Sequence, residues 1–237
     1  QGLFDQHIHS IVIDPKDSDT IYAGTGRGVF KSEDAGDTWS EWFDESAGLT
    51  HSKIYDLVLH PEDSDILFSA TDGGVFQSLD AGENWEPVFT DQSIRIIKFS
   101  ASNPDILYAS GTSGIFRSKT RGRDWSPVWK NVLPNVTNLT SLNTDPEFLY
   151  SGTQTGLYKS FNGGRNWITD PVFKKAPLDA LFVTPSNLSE IYAGSGAEFY
   201  SSHDGGDTWE NLSSLTQKFN ADSGTSADIK ITSIASL

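Results

Sequence analysis

The sequence contains no cysteine and no methionine. Without cysteine there is no disulfide, no thiolate metal site and no cysteine nucleophile, and the chain is compatible with any redox compartment. Without methionine, the N-terminal Gln1 reads as a processed or trimmed end. Positive charge is scarce: 17 Lys and Arg stand against 32 Asp and Glu, for a formal net charge of −15. That balance repels polyanions, so neither nucleic acid nor an anionic membrane is an expected partner. The close-spaced cations Lys174-Lys175 and Arg121/Arg123 read as solvated loop charge. Long apolar runs are also missing. None approaches the roughly 20 residues that span a bilayer, so no direct membrane insertion is expected, and any signal peptide is already gone.

Hydrophobic residues make up 36% of the chain and aromatics 12%, enough for a packed core. The apolar runs are short and are broken by Gly, Asp, Asn and Pro. That texture belongs to an all-β chain with many tight turns.

Five segments end in Trp after a near-constant lead-in: Ser32-Glu-Asp-Ala-Gly-Asp-Thr-Trp39, Ser78-Leu-Asp-Ala-Gly-Glu-Asn-Trp85, Ser118-Lys-Thr-Arg-Gly-Arg-Asp-Trp125, Ser160-Phe-Asn-Gly-Gly-Arg-Asn-Trp167 and Ser202-His-Asp-Gly-Gly-Asp-Thr-Trp209. They recur every 40 to 46 residues or so, the size of one propeller blade. Each unit reads as four short strands. The first is an apolar run such as Ser10–Ile13 or Asp56–Leu59, followed by a proline turn (Asp14-Pro15, His60-Pro61, Asn103-Pro104, Asp145-Pro146, Thr184-Pro185). The second is Ile21-Tyr22-Ala23-Gly24 and its equivalents. A glycine-rich hairpin then leads into a third strand such as Gly28–Ser32, and the fourth is expected to begin at the Trp.

The pattern Ser-x-Asp-x-Gly-x-Thr-Trp resembles the Asp-box, or bacterial neuraminidase repeat, over essentially the whole chain. The resemblance extends to the propellers of sialidases, xyloglucan-cleaving endoglucanases, sortilin-type receptors and photosystem II assembly factors. It implies an all-β propeller of four-stranded antiparallel blades, with each box forming the hairpin between strands three and four. In such a turn Asp34, Asp80, Asn162 and Asp204 accept hydrogen bonds from backbone N–H groups. The box glycines supply positive φ, and Trp39, Trp85, Trp125, Trp167 and Trp209 pack against the blade. The boxes are therefore expected to be structural, not catalytic. In the third box Thr120 replaces the Asp, flanked by Arg121, and the turn is expected to have decayed.

The resemblance implies one propeller domain over residues 1–237, with blades about 8–43, 54–89, 94–129, 136–173 and 178–213. Residues 229–236 repeat the first-strand pattern once more as an extra strand. The chain then reads either as a section of a longer propeller, the favoured alternative, or as a five-bladed ring.

Function is expected on the face that carries the loops between blades and the turns of the second hairpin, because loops vary while scaffolds hold. Candidate binding residues there are Trp42, His51, Trp129, Lys174 and Lys175 from the loops, and Arg27, Asp72 and Glu198 from the turns. Trp42 and Trp129 also fit as padding at a blade edge. A sialidase needs an arginine triad, yet most arginines lie in or near boxes (Arg117, Arg121, Arg123, Arg165), leaving Arg27 and Arg95. A glycoside hydrolase needs two carboxylates across a cleft, for which Asp72, Asp179 and Glu198 are available. The acidic groups Asp14, Asp17, Asp19 and Glu62, Asp63, Asp65 lack the glycine and terminal Glu of an EF-hand, so turn capping is expected and no metal or other cofactor. Sequons at Asn135, Asn138, Asn187 and Asn211 are compatible with an exported protein. The expected role is a non-catalytic binding or scaffold module contacting protein or glycan in an extracytoplasmic assembly, as a subunit of a larger complex. The alternative is a glycoside hydrolase of the same propeller type.

Overall fold

The structure, a computed structural model, describes residues 3, 7–41, 47–130, 136–141, 147–184 and 189–213. Trp42 and the extra strand at 229–236 lie outside the described residues. Five four-stranded antiparallel sheets follow one another along the chain. The first holds β1 (Ile8–Ile13), β2 (Ile21–Thr25), β3 (Gly28–Ser32) and β4 (Ser40–Glu41). The second holds β5 (Ile54–His60), β6 (Asp63–Thr71), β7 (Gly74–Ser78) and β8 (Glu86–Thr90). The third holds β9 (Ile94–Ser100), β10 (Asn103–Gly111), β11 (Gly114–Ser118) and β12 (Ser126–Lys130). The fourth holds β13 (Val136–Ser141), β14 (Leu149–Thr153), β15 (Gly156–Ser160) and β16 (Ile168–Thr169), and the fifth β17 (Ala180–Val183), β18 (Ile191–Ser195), β19 (Glu198–Ser202) and β20 (Glu210–Asn211). In every sheet the strands lie in chain order.

Two details differ from the sequence reading. The fourth strands start one residue after the Trp, and in the first four sheets the Trp still belongs to the turn whose carbonyl its indole contacts. Pro104 lies inside β10, since that strand begins at Asn103. No helix among the described residues is long and apolar enough to cross a membrane.

The second hairpin of each sheet explains its own sequence. In the first sheet Thr25 Oγ1 donates to the Gly28 carbonyl at 2.9 Å and accepts from the Arg27 N–H at 3.0 Å. Thr71 and Thr153 repeat this with Gly74 and Gly156. The residue that closes the turn must be glycine: Gly74 has φ of 132°, and a Cβ there would stand 1.9 Å from the Phe89 carbonyl oxygen.

The chain divides into two compact units, one from residues 1–99 and 103–130 and one from 100–102 and 131–237. In the first unit, Ile54 and Leu57 of β5 pack with Tyr22 of β2 and Val29 of β3. Ile94 and Ile97 of β9 pack likewise with Phe68 of β6 and Val75 of β7. In the second unit, Leu178, just before β17, packs with Tyr150 of β14 and Leu157 of β15. The rule is the same each time: the start of a first strand is buried against strands two and three of the sheet before it. Each such aliphatic side chain contributes about 1.5–3 kcal/mol when fully buried. Close approach requires a small residue, and Gly24 supplies it. A Cβ there would lie 2.6 Å from Ile54 Cγ2. Gly152 does the same beneath Leu178, at 2.8 Å.

Candidate functional site

The repeated Trp-terminated turns form one end of each sheet. In the first, the Ser32 hydroxyl accepts from the Gly36 N–H at 2.9 Å and donates to Asp34 Oδ1 at 2.8 Å. Asp34 accepts from the Thr38 N–H at 2.8 Å and from the Thr38 hydroxyl, and the Trp39 indole closes the loop on the Gly36 carbonyl at 3.0 Å. The second and fourth turns repeat this around Asp80 with Trp85 and Asn162 with Trp167. These hydrogen bonds from Thr38 and Ser32 hold the Asp34 carboxyl below its ordinary range, and those from Thr208 and Ser202 do the same for Asp204. At Asp80, partial burial opposes the shift, but hydrogen bonds from Asn84 and Ser78 outweigh it and the carboxyl is again lowered.

The third turn keeps its shape despite Thr120. The Asp124 N–H donates to Thr120 Oγ1 at 2.8 Å, the Gly122 N–H to Ser118 Oγ at 2.9 Å, and the Trp125 indole to the Gly122 carbonyl at 2.9 Å. A hydroxyl accepts one of the bonds a carboxylate would, so the turn has not decayed. The residue before the turn glycine also sits in the left-handed region, at φ of 56° for Ala35, 55° for Ala81 and 53° for Arg121.

The fifth turn departs in a different way. Lys159, on β15, donates to the Gly206 carbonyl, while the Trp209 indole turns to Asp170 Oδ2 at 3.1 Å. Lys159 and Asp170 form a 3.0 Å ion pair with side chains 10% and 1% exposed. The turns also tie neighbouring sheets together: Tyr22 donates to the Ala81 carbonyl at 3.2 Å and Tyr150 to the Gly205 carbonyl at 2.6 Å. Burial, with Asp14, Glu33 and Asp65 nearby, pushes the Tyr22 phenol up to about 12.

At the opposite end of each sheet, the expected binding residues fall into two sets, one per unit. In the first unit Arg27 and Asp72 are exposed in their hairpin turns, and exposed His51 lies over the Gly73 turn, its ring 6.0 Å from that of Phe76. Trp129 is half-buried on β12, paired in register with Ile115. In the second unit, exposed Lys174 and Lys175 follow buried Phe173, and the Lys175 N–H donates to the Thr155 carbonyl at 3.0 Å, beside the β14–β15 turn. Glu198 is exposed and accepts from the Tyr200 hydroxyl at 2.6 Å. Asp179 accepts from the Gly196 N–H at 2.9 Å. These two carboxylates are thus engaged in holding their own hairpin. The acidic proline loops are capping devices: Asp14 accepts from the Lys16 N–H at 2.8 Å and from Ser64, and Asp17 from the Asp19 N–H at 3.2 Å.

Sequence reasoning missed one cluster. The first strands are irregular one residue after their start, with register shifts between Ile8 and Ser10, Ile54 and Asp56, and Val136 and Asn138. Such bulges re-aim the extra side chain, here His9, Tyr55 and Thr137. In the second unit Thr137 is used internally, donating to the Leu178 carbonyl. In the first unit the bulge residues meet cations. The Arg95 guanidinium lies 4.6 Å and the Lys53 ammonium 5.0 Å from the Tyr55 ring centroid, with the His9 ring at 6.4 Å.

Compared by sequence, the chain matches no protein-family model and no curated protein. Compared by structure, it superposes on an ancestral GH74 enzyme with a TM-score of 0.75 at 21% identity, covering 87% of this chain and 31% of that one. It superposes on YCF48 bound to D1 peptide with a TM-score of 0.65 at 17% identity, covering 88% and 68%. It also superposes on the extracellular domain of the one-component system BT4673 from B. thetaiotaomicron with a TM-score of 0.68 at 15% identity, covering 87% and 28%. The fold is a β-propeller.

The chain spans about a third of the length of that GH74 enzyme, and at these identities the likeness concerns the propeller fold alone. Each sheet is a propeller blade, and the residues that define blade stacking are those the repeat makes visible. The Tyr55 cluster is not a repeat feature. Only the unequal residues one step into each first strand (His9, Tyr55, Arg95, Thr137) signalled it.

Proposed function

We propose that the chain is a non-catalytic binding or scaffold propeller that contacts protein or glycan in an extracytoplasmic assembly, its Trp-terminated turns being structural Asp-boxes. The reading takes residues 1–237 as one propeller domain. The observation that carries it is the segregation of charge within the first unit. Carboxylates crowd the proline loops and Trp-terminated turns, where cations such as Lys31 and Arg121 are paired with Glu33 and Asp105. Arg27, Lys53 and Arg95, at the loop end, have no carboxylate partner among the described residues. An otherwise acidic molecule thus gathers its carboxylate-free cations, with Tyr55, at the end that also carries exposed Asp72 and Asp91, and Arg and Tyr are residues enriched at interfaces. Structural neighbours include a propeller bound to a peptide and an extracellular domain, and both are in keeping with an extracytoplasmic binding role.

The likeness to GH74 enzymes favours the alternative, a glycoside hydrolase of this propeller type, with Asp72, Asp179 and Glu198 as its carboxylates. Against it, Asp179 and Glu198 already serve as local acceptors. One experiment separates the two. Xyloglucan is incubated with the protein, and both retention in affinity electrophoresis and release of reducing ends are measured. Retention without hydrolysis supports the binding module, and no interaction at all argues only against the hydrolase. Hydrolysis abolished by Asp72→Asn or Glu198→Gln overturns it.

A further inference from the structure

The Tyr55 cluster resolves the loop end into a specific site, and this deepens the binding reading proposed above. Arg95 and Lys53 are exposed, come from different first-strand segments, and converge on one half-buried tyrosine. In a chain with 32 carboxylates, cations find acidic neighbours readily. Lys98, three residues beyond Arg95, is paired with Asp56 Oδ2 at 2.9 Å. Asp56 itself adjoins Tyr55 in sequence, yet its carboxylate is taken by Lys98, the Ile97 N–H and the Ser10 hydroxyl. The Asp56 carboxylate is thereby engaged away from the cluster.

Distance isolates the site further. Along β5, Tyr55 is separated from the acidic turn after His60 by about 16 Å at ~3.3 Å per residue. That is roughly twice the Debye length of about 8 Å at physiological salt. An anion at the cluster therefore senses the local groups much more than the acidic turns at the far end of the strands. Two cations held over one ring, neither paired with a carboxylate among the described residues, repel each other, and a carboxylate bridging them removes that repulsion.

We infer that Tyr55, Arg95 and Lys53, with His9 alongside, form a carboxylate-binding site for an acidic protein segment. Arg95 supplies a planar fork that takes a carboxylate in two-point fashion, and Lys53 a point charge. Tyr55 holds both cations through its ring. The ring is occupied by cations, so it is not an open platform for stacking a sugar, and an acidic peptide is favoured over an acidic glycan. The bulge that re-aims Tyr55 recurs at His9, which places both residues on the same side of adjacent first strands.

The test uses the full chain and labelled hexaglutamate, with hexaglutamine and trigalacturonate as comparators, read by fluorescence anisotropy at low and high salt. Hexaglutamate is expected to bind, to weaken as salt rises, and to lose about tenfold in affinity in Arg95→Ala and several-fold in Lys53→Ala. Tyr55→Phe is expected to keep most of the affinity and Tyr55→Ala to lose it. Hexaglutamine is expected not to bind. These positions are exposed or half-buried, and unchanged thermal unfolding of the Arg and Lys variants rules out misfolding. Binding unaffected by both Arg95→Ala and Lys53→Ala but lost in Arg27→Ala overturns the site while leaving a binding face. Binding of trigalacturonate in preference overturns the peptide assignment. No binding of hexaglutamate to the unmodified protein overturns the inference, whereas hydrolysis in the xyloglucan assay is what overturns the underlying reading.

Discussion

Leu57 and Ile11 occupy the same place in successive blades, opposite Ser69 and Ala23 on their second strands. Their surroundings differ completely. Leu57 is 1% exposed because Tyr22 and Val29 of the preceding blade cover it, whereas Ile11 on β1 is 57% exposed, next to Ile8 at 46% and Ile13 at 56%. Leu57→Ala removes a buried side chain from a packed seam, where such changes cost about 2–5 kcal/mol. At 2–4 °C per kcal/mol for a chain of this size, Tm should fall by about 4–20 °C. Ile11→Ala removes mostly solvated surface and should cost under about 1 kcal/mol, or no more than about 4 °C. Differential scanning calorimetry on the 237-residue chain, with urea unfolding followed by tryptophan fluorescence, measures both. An Ile11→Ala loss as large as that of Leu57→Ala would refute the reasoning, because it would mean the apolar face of β1 is covered in solution.

Gly24→Ala places a Cβ 2.6 Å from Ile54 Cγ2, and because Ile54 is fully buried the seam should lose about 1–3 kcal/mol by overpacking, visible as a lower urea midpoint. Asp170→Asn leaves the buried Lys159 ammonium only the solvent-exposed Asp207 carboxylate at 4.0 Å and should destabilise by up to about 3–5 kcal/mol, while Lys159→Met with Asp170→Leu should recover most of the loss; a double-mutant cycle in urea measures this. The lowered carboxyls of Asp34, Asp80 and Asp204 contribute stability that is fully present above the unfolded carboxylate value of about 3.9 and is lost as pH falls through their lower folded values. Melting temperature should therefore drop on acidification below about pH 4, and the Asp34→Asn, Asp80→Asn, Asp204→Asn triple variant should flatten that dependence.

Strand order, blade repetition and the turn acceptors were legible in the sequence because each rests on local chemistry repeated five times. Gly36 or Trp39 alone would say little, but the same spacing at Gly82 and Trp85 leaves few other structures. What was not legible depends on neighbours that the repeat does not name. Trp209 carries the same motif as Trp39, yet its indole goes to Asp170, because Lys159 from the adjoining blade has claimed the Gly206 carbonyl. Thr120 looked like a lost acceptor, and only its hydrogen bond from the Asp124 N–H shows a hydroxyl filling the role. Of the expected binding residues, His51 and Asp72 come to the same hairpin turn, as do Lys174 and Lys175 to another, because the loops between blades end beside those turns. Trp42 falls outside the described residues.

The net charge of −15 was the least informative number for function, since a total says nothing about placement. Carboxylates are spent where turns need acceptors: Asp34, Asp80 and Asp204 in the Trp-terminated turns, Asp14 and Asp17 in the proline loops. Those turns lie at one end of the strands, so the acidity follows from the architecture. The hairpins at the other end are built on threonine hydroxyls and glycine, as at Thr25 and Thr71, and need no carboxylate in either. Arg27, Lys53 and Arg95 at that end of the first unit therefore have, among the described residues, no partners like those that neutralise Lys31 and Arg121 elsewhere. A fold that consumes its acids in turn-making thus generates, without any basic excess, one surface on which an anion is welcome.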